Sequence, residues 1–260
     1  MTLERNTLRQ ILERGEIAFG TGFYSFSPTL VEVAGYCGLD FVRIDNEHAF
    51  YSKSTLERMI MAAELAGTTP ILRVDRDDPY IIRKALEIGA QGVLVAHINT
   101  EKEAQDVVDA AKFPPWGIRG TAMCHANKWN VTVKGSDFIP WSNKETMIAT
   151  MVEDYRAIDN IEAIASVKGL DILWFGPSDF SVSVGAPGLG LRNEIVWDGL
   201  LKTIAAAKRY QKHVCLGVGY PWVENARKYI ELGVSMIELG HDVSILRTTW
   251  QQLRGELKKK

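Results

Sequence analysis

The sequence predicts an α/β protein of the (β/α)8 (TIM) barrel class, a single domain over all 260 residues. Three observations point there. Short apolar, β-rich runs alternate with segments of helical period along the whole length. Gly67, Gly89, Gly169 and Gly233 stand where a helical segment ends and the next strand approaches, as C-capping glycines do. The runs GVLVAHI and DILWFG are apolar throughout, which suits parallel strands covered on both faces.

Taken in order, the strand runs are Ile17–Phe23, Asp40–Ile44, Pro70–Val74, Gly92–Ile98, Met147–Glu153, Asp171–Phe175, Val214–Gly219 and Ser235–Leu239. Helical period fills Thr55–Ala66, Tyr80–Ile88, Glu101–Ala111 and Pro221–Leu232 between them. Eight strand–helix units in a chain of this length match the barrel. A doubly wound open sheet competes, but it carries a glycine-rich phosphate turn after its first strand, and Ile17–Phe23 runs into SFSPT. One unit is overlong: KFPPWGIRGTAMCHANKWNVTVKGSDFIPWSNKE precedes the fifth strand, and a loop of that length is usually functional or ordered by a partner subunit. A second insertion, GAPGLGLRN, follows the sixth unit and lacks the strand-to-helix placement of a phosphate loop.

Formal net charge is −2 with both signs mixed along the chain, so no basic field exists for nucleic acid or a membrane surface. Lys258-Lys259-Lys260 reads as a solvated helix end. The three cysteines, Cys37, Cys124 and Cys215, have neither metal-site nor disulfide-framework spacing. The N-terminus lacks an apolar signal core, and no run reaches the ~18 apolar residues of a membrane span. A cytoplasmic protein is the expectation.

In a barrel the active site lies at the C-terminal strand ends. The second strand ends in IDNEHAF, offering Asp45, Glu47 and His48, and the third in Arg73. The fourth offers His97, the fifth Glu153, the sixth Asp179 within FGPSD, and the eighth His241 and Asp242. Glu153 and Asp179, on neighbouring strands, suit one hard divalent ion with positions left open for a chelating 2-oxo acid. Arg73 would stabilise a developing enolate oxygen, and His48, a side chain suited to general acid–base work, would move a hydroxyl proton. Structural alternatives stand beside each. Asp179 could be a helix N-cap, Arg73 could pair with Asp75 or Asp45, and His48 could be a satisfied loop histidine. His97, His125 and His241 read as structural, and His213 opens a strand at the wrong rim.

IDNEH, ILRV, PPWGIRG and FGPSDFSVSVG, in that order, resemble the signatures of the HpcH/HpaI aldolase family, from about Gly20 to the C-terminal helix. The resemblance implies a metal-dependent pyruvate aldolase that cleaves 4-hydroxy-2-oxo acids to pyruvate and an aldehyde. It implies Mg2+, Mn2+ or Co2+ as cofactor and a homo-oligomer, a hexameric trimer of dimers. It places the base on His48, the transition-state arginine on Arg73, the metal ligands on Glu153 and Asp179, and a histidine-tuning acid on Glu87. Asp45 joins the catalytic group, and the amide of Ser178 is implied to bind substrate carboxylate. Glu87 stands where the family commonly has Asp, and Ser178 where Ala is usual. Met151 occupies the place of a substrate-contacting Gln, and Ala96-His97-Ile98 that of a Pro-x-Val turn, so specificity is expected to differ. Two further readings keep the same site: an oxaloacetate decarboxylase of the macrophomate synthase type, and a degenerate barrel that only binds an oxo acid.

Overall fold

The computed structural model describes residues 3–49, 51–76 and 79–259; Phe50 of the IDNEHAF segment and Lys260 of the terminal lysine run lie outside them. Strands β1 (Ala18–Phe23), β2 (Phe41–Asp45), β3 (Thr69–Val74), β4 (Gly92–Val95), β5 (Met147–Val152), β6 (Ile172–Phe175), β7 (His213–Gly217) and β8 (Met236–His241) follow the expected runs closely. All pair in parallel with their sequence neighbours, and β8 pairs with β1 to close the barrel. The closed topology removes the open sheet as an alternative.

Around the barrel run α1 (Thr7–Glu13), α2 (Pro28–Tyr36), α3 (Lys53–Leu65), α4 (Pro79–Glu87), α5 (Glu101–Ala111) and α6 (Gly135–Glu145). They are followed by α7 (Tyr155–Asp159), α8 (Ile161–Ser166), α9 (Pro177–Ser183), α10 (Glu194–Arg209), α11 (Trp222–Glu231) and α12 (Asp242–Lys258). Local chemistry sets many of the starts. Ser27, Ser52, Thr100 and Asn193 accept first-turn amides, and Thr100 with Glu103 forms a full capping box. The four glycines named above all adopt positive φ, from 75° to 106°, which an L side chain resists.

Strand residues two apart share a face, and this period divides the interior into two layers. At the N-terminal end the inward positions are apolar: Phe41, Ile71, Leu94, Met147, Ile172, Cys215 and Met236 pack with Leu8, Ile11 and Leu12 of α1, which plugs the barrel floor. Phe41 meets Trp174 edge-on at 5.7 Å, and Gly20 makes room for it, because a Cβ there would enter the Phe41 ring. One step up, the same faces turn charged, with Arg43, Asp45, Arg73 and Glu238 all buried. The outward positions, among them Val42, Ile44, Leu72, Val74 and Ile237, join the helices in the larger core.

The overlong loop carries a 3-10 turn at His125–Asn130 and all of α6. Phe113, Val133 and Phe138 form its own small core, over which Arg119 stacks at 4.5 Å from the Phe113 ring. Ile139 and Trp141 pack against this core partly buried, whereas Trp116, Ile118, Met123, Trp129 and Val131 are exposed. Among the described residues, no helix is long and apolar enough to cross a membrane.

Candidate active site

Asp45, the last residue of β2, is wholly buried and organises the rim. Its Oδ1 accepts the amides of Glu47 (3.1 Å) and His48 (3.0 Å), which turns the chain outward after the strand. Its Oδ2 accepts from Arg43 Nη1 at 2.5 Å and, more closely still, from Arg73 Nη2. Burial alone would raise this carboxyl, but Arg43 and Arg73 together hold it below the ordinary aspartate value. Both sequence readings of Arg73 therefore meet in one group: it pairs with Asp45 and stands at the rim, also donating to Tyr24 Oη at 3.2 Å. Asp45, counted with the catalytic group from sequence, has its carboxylate fully engaged inside the protein, so its part is to hold Arg73.

Glu47 and Glu153 have side chains only 6% and 3% exposed, and both face His97. The backbone amide of His97 donates to Glu153 Oε1 at 2.8 Å. Its ring lies 3.3 Å from the same oxygen through Nδ1 and 3.1 Å from Glu47 Oε1 through Nε2. His97 holds φ at +58°, a conformation that costs a non-glycine residue about 1–2 kcal/mol and persists where surroundings enforce it. The ring and amide of His97 thus lie between two rim carboxylates, a placement that the reading of it as structural did not anticipate. Burial pushes the Glu153 carboxyl up, and the charges of Glu47 and Asp179 push it the same way.

Asp179 lies in the first turn of α9, on the same rim as Glu153. It is not the N-cap, a position that belongs to Gly176, so the capping alternative falls away. Ser178 is exposed beside it, and its carbonyl accepts from Ser181 Oγ. Met151 is buried in the barrel's inner apolar cluster, with Gly176 alongside its methyl group. His48 projects outward, its side chain 54% exposed and Nε2 3.8 Å from Glu47 Oε2.

The oxygens of Glu153 and Asp179, with Glu47 close by, form a hard donor set of concentrated negative charge. Glu47 Oε2 is buried 3.0 Å from Arg73 Nη1 yet out of line for a hydrogen bond, so it keeps acceptor capacity. These residues fit a divalent ion bound through one or two carboxylates and completed by water and substrate. A cage of three or more protein His, Cys, Asp or Glu ligands is absent among the described residues.

Glu87 is placed elsewhere. Helix α4 runs back against the strands, so its last residue returns to the barrel's N-terminal end, where Glu87 lies 3.7 Å from Arg83. Within one chain it does not tune His48. His125 pairs with Glu64 at 2.7 Å, and His213 opens β7 at the floor, as expected for structural histidines. His241 caps α12 through Nδ1 and meets the Tyr24 ring at 4.6 Å.

Sequence reasoning passed over Arg43, Glu238 and Tyr24, and named Glu47 among the rim residues without giving it a role. The first two carry a readable signal, a charge set among apolar strand residues, in FVRID and MIELG. Tyr24 follows its strand in a stretch with no polar motif.

The HpcH/HpaI aldolase/citrate lyase family matches residues 21–249. A 5-keto-4-deoxy-D-glucarate aldolase of Citrobacter koseri is 32% identical over 98% of this chain and 97% of its own. An HpcH/HpaI aldolase from Desulfitobacterium hafniense superposes with a TM-score of 0.91 at 25% identity, over 97% of each chain. The citrate synthase SbnG superposes at 0.86 with 29% identity, over 98% of this chain and 99% of its own. With the barrel, the rim carboxylates and these relatives in agreement, the chain belongs to the HpcH/HpaI aldolase/citrate lyase family and is a carbon–carbon lyase of the class II aldolase type.

Proposed function

We propose that the protein cleaves a 4-hydroxy-2-oxo acid to pyruvate and an aldehyde, and runs the reverse condensation. The observation that carries the reading is the convergence of Glu153, Asp179 and Arg73 on one rim. Glu153 and Asp179 would hold the divalent ion, Mg2+, Mn2+ or Co2+, which supplies Lewis-acid stabilisation of the enolate. Arg73, fixed by Asp45, points positive charge toward the oxygen that becomes anionic. His48, exposed at the mouth, takes the proton from the hydroxyl that becomes the aldehyde. Ser178 offers its amide to the substrate carboxylate, and Met151 closes the inner wall with apolar surface. The aldolase named after 5-keto-4-deoxy-D-glucarate makes a polyhydroxylated, carboxylate-bearing oxo acid the first substrate to try.

A cytoplasmic homo-oligomer, a hexamer built as a trimer of dimers, accompanies this reading. Helix α12 packs chiefly on β1 and β8 and exposes Val243, Leu246, Trp250, Leu253 and Leu257 along one stripe. Together with the exposed apolar residues of the overlong loop, this stripe gives further copies of the chain apolar surface to bury, as interaction surfaces do. Glu87 would act on His48 only from a second copy in such an assembly. The test is a retro-aldol screen with added Mg2+, Mn2+ or Co2+, using 5-keto-4-deoxy-D-glucarate and detecting pyruvate by a coupled assay. Pyruvate with stoichiometric aldehyde supports the proposal. Pyruvate and CO2 from oxaloacetate, without aldol cleavage of any 4-hydroxy-2-oxo acid, refutes it in favour of a decarboxylase.

A further inference from the structure

We infer that Arg43 and Glu238, inside the barrel below the rim, are positioning residues that hold Arg73 in its working place by way of Asp45. Arg43 Nε and Nη2 donate to the two carboxylate oxygens of Glu238 at 2.6 and 2.9 Å, a fork-to-fork pair between β2 and β8. The remaining amino group, Nη1, donates to Asp45 Oδ2, the same oxygen that accepts from Arg73. Four residues from three strands thus form one chain, Glu238–Arg43–Asp45–Arg73, of which the first two lie below the rim. Every member is at most 6% exposed.

A second observation comes from the neighbouring strand. A Cβ on Gly22 of β1 would clash with Arg43 Nη2 and lie 3.1 Å from Glu238 Oε1, so the bare glycine provides the volume the pair fills. The Tyr24 ring then covers the guanidinium, 5.4 Å from its carbon. Gly22, Arg43, Glu238 and Tyr24 are matched parts of one construction.

Its purpose follows from how Asp45 is shared. With Arg73 as its sole cation, Asp45 would draw that guanidinium into a closed two-point pair and spend its charge internally. Arg43 takes one side of Oδ2 and limits Arg73 to contact through Nη2 there, so that Nη1, which faces Glu47 Oε2 at 3.0 Å, stays at the rim and is not drawn onto Asp45. Glu238 keeps Arg43 from rotating toward Arg73. This inference rests on the role of Arg73 proposed above, so its test carries a separate arm for that role.

The decisive variant is the double substitution Arg43→Met with Glu238→Leu. Apolar replacements of similar volume for a buried ion pair are often neutral or stabilising, so the protein should fold with an undiminished melting temperature. The expected result is a kcat lowered roughly ten- to a hundredfold with KM within about twofold, the mark of an interaction made in the transition state. Pyruvate formation from oxaloacetate and from 5-keto-4-deoxy-D-glucarate, both with saturating Mn2+, provides the readout. A folded double variant with near wild-type kcat would overturn the inference, because the pair would then be structural only. Should the double variant not fold, Arg43→Lys decides. It keeps the charge balance but cannot span Glu238 and Asp45 together, so a similar fall in kcat is expected, and wild-type kcat overturns. Arg73→Lys, run in parallel, separates the two claims. Loss there with full activity in the Arg43 and Glu238 variants rejects this inference alone, whereas full activity in Arg73→Lys rejects the proposed role of Arg73 itself.

Discussion

Asp45→Asn is the sharpest probe of the rim, because the substitution changes almost no volume. The carboxylate accepts two backbone amides through Oδ1 and two guanidinium groups through Oδ2, with the residue wholly buried. An asparagine can keep the Oδ1 contacts, but its NH2 group then faces Arg43 Nη1 and Arg73 Nη2, donor against donor. Two charge-assisted bonds are lost, each contributing about 1.5–3 kcal/mol. Removing one partner from a buried ion pair costs about 3–5 kcal/mol by itself. We expect a loss of about 3–5 kcal/mol, which for a domain of this size lowers the melting temperature by roughly 6–20 °C. The assay is thermal or urea unfolding followed by circular dichroism, with kcat measured below the transition. Asp45 adds a pH signature. Arg43 and Arg73 outweigh the effect of burial and hold its carboxyl below the ordinary value, so it contributes stability above the ordinary aspartate pKa and loses it as pH falls through the folded value. The variant should therefore show a shallower acid limb below about pH 4. A melting temperature within about 2 °C of wild type, where ~1 kcal/mol shifts a domain of this size by about 2–4 °C, would refute the view of Asp45 as the hub of the rim.

Three other outcomes are expected. His48→Ala should leave stability within about 0.5 kcal/mol, as exposed positions do, while aldol cleavage falls roughly 10²–10⁴-fold; oxaloacetate decarboxylation, which needs no hydroxyl proton transfer, should survive far better, and equal loss of both reactions would reassign His48 to substrate positioning. Excess chelator should abolish pyruvate formation, and Mg2+, Mn2+ or Co2+ should restore it; full turnover in chelator, or an adduct trapped by borohydride, would overturn the metal reading in favour of a Schiff base. Burial lowers Lys112 to about 8, although its ammonium donates to the carbonyls of Asn143 and Thr146. Below that pH the folded state carries a buried charge at a cost, and stability should rise with pH from about 8 toward the unfolded lysine value near 10.4. Urea unfolding at pH 7.5 and 9.5 checks this, and a slope unchanged in Lys112→Met would reject the assignment.

Much of the barrel was legible in the sequence because its signals are local. Apolar runs such as GVLVAHI report burial on both faces, and Gly67, Gly89, Gly169 and Gly233 announce helix ends through a backbone angle other residues avoid. The rim positions of Asp45, Arg73, Glu153 and Asp179 followed from the same order, since parallel strands put every C-terminal end on one side. What sequence could not supply was which of those groups touch. His97 reads as an ordinary histidine after a strand, and only the closing of β4 against β5 brings its ring between Glu47 and Glu153. Glu87 lies in a motif matching that of the tuning acid, yet the return of α4 carries it to the barrel floor, far from its intended partner in the same chain. Arg43 and Glu238 are 195 residues apart, and no periodicity links them. Their pairing exists because β8 closes on β1, where Gly22 leaves the space. Strand content and strand order are written in short-range patterns of hydrophobicity and backbone freedom. The sharing of one buried carboxylate between two arginines is decided only when the ends of the sheet meet.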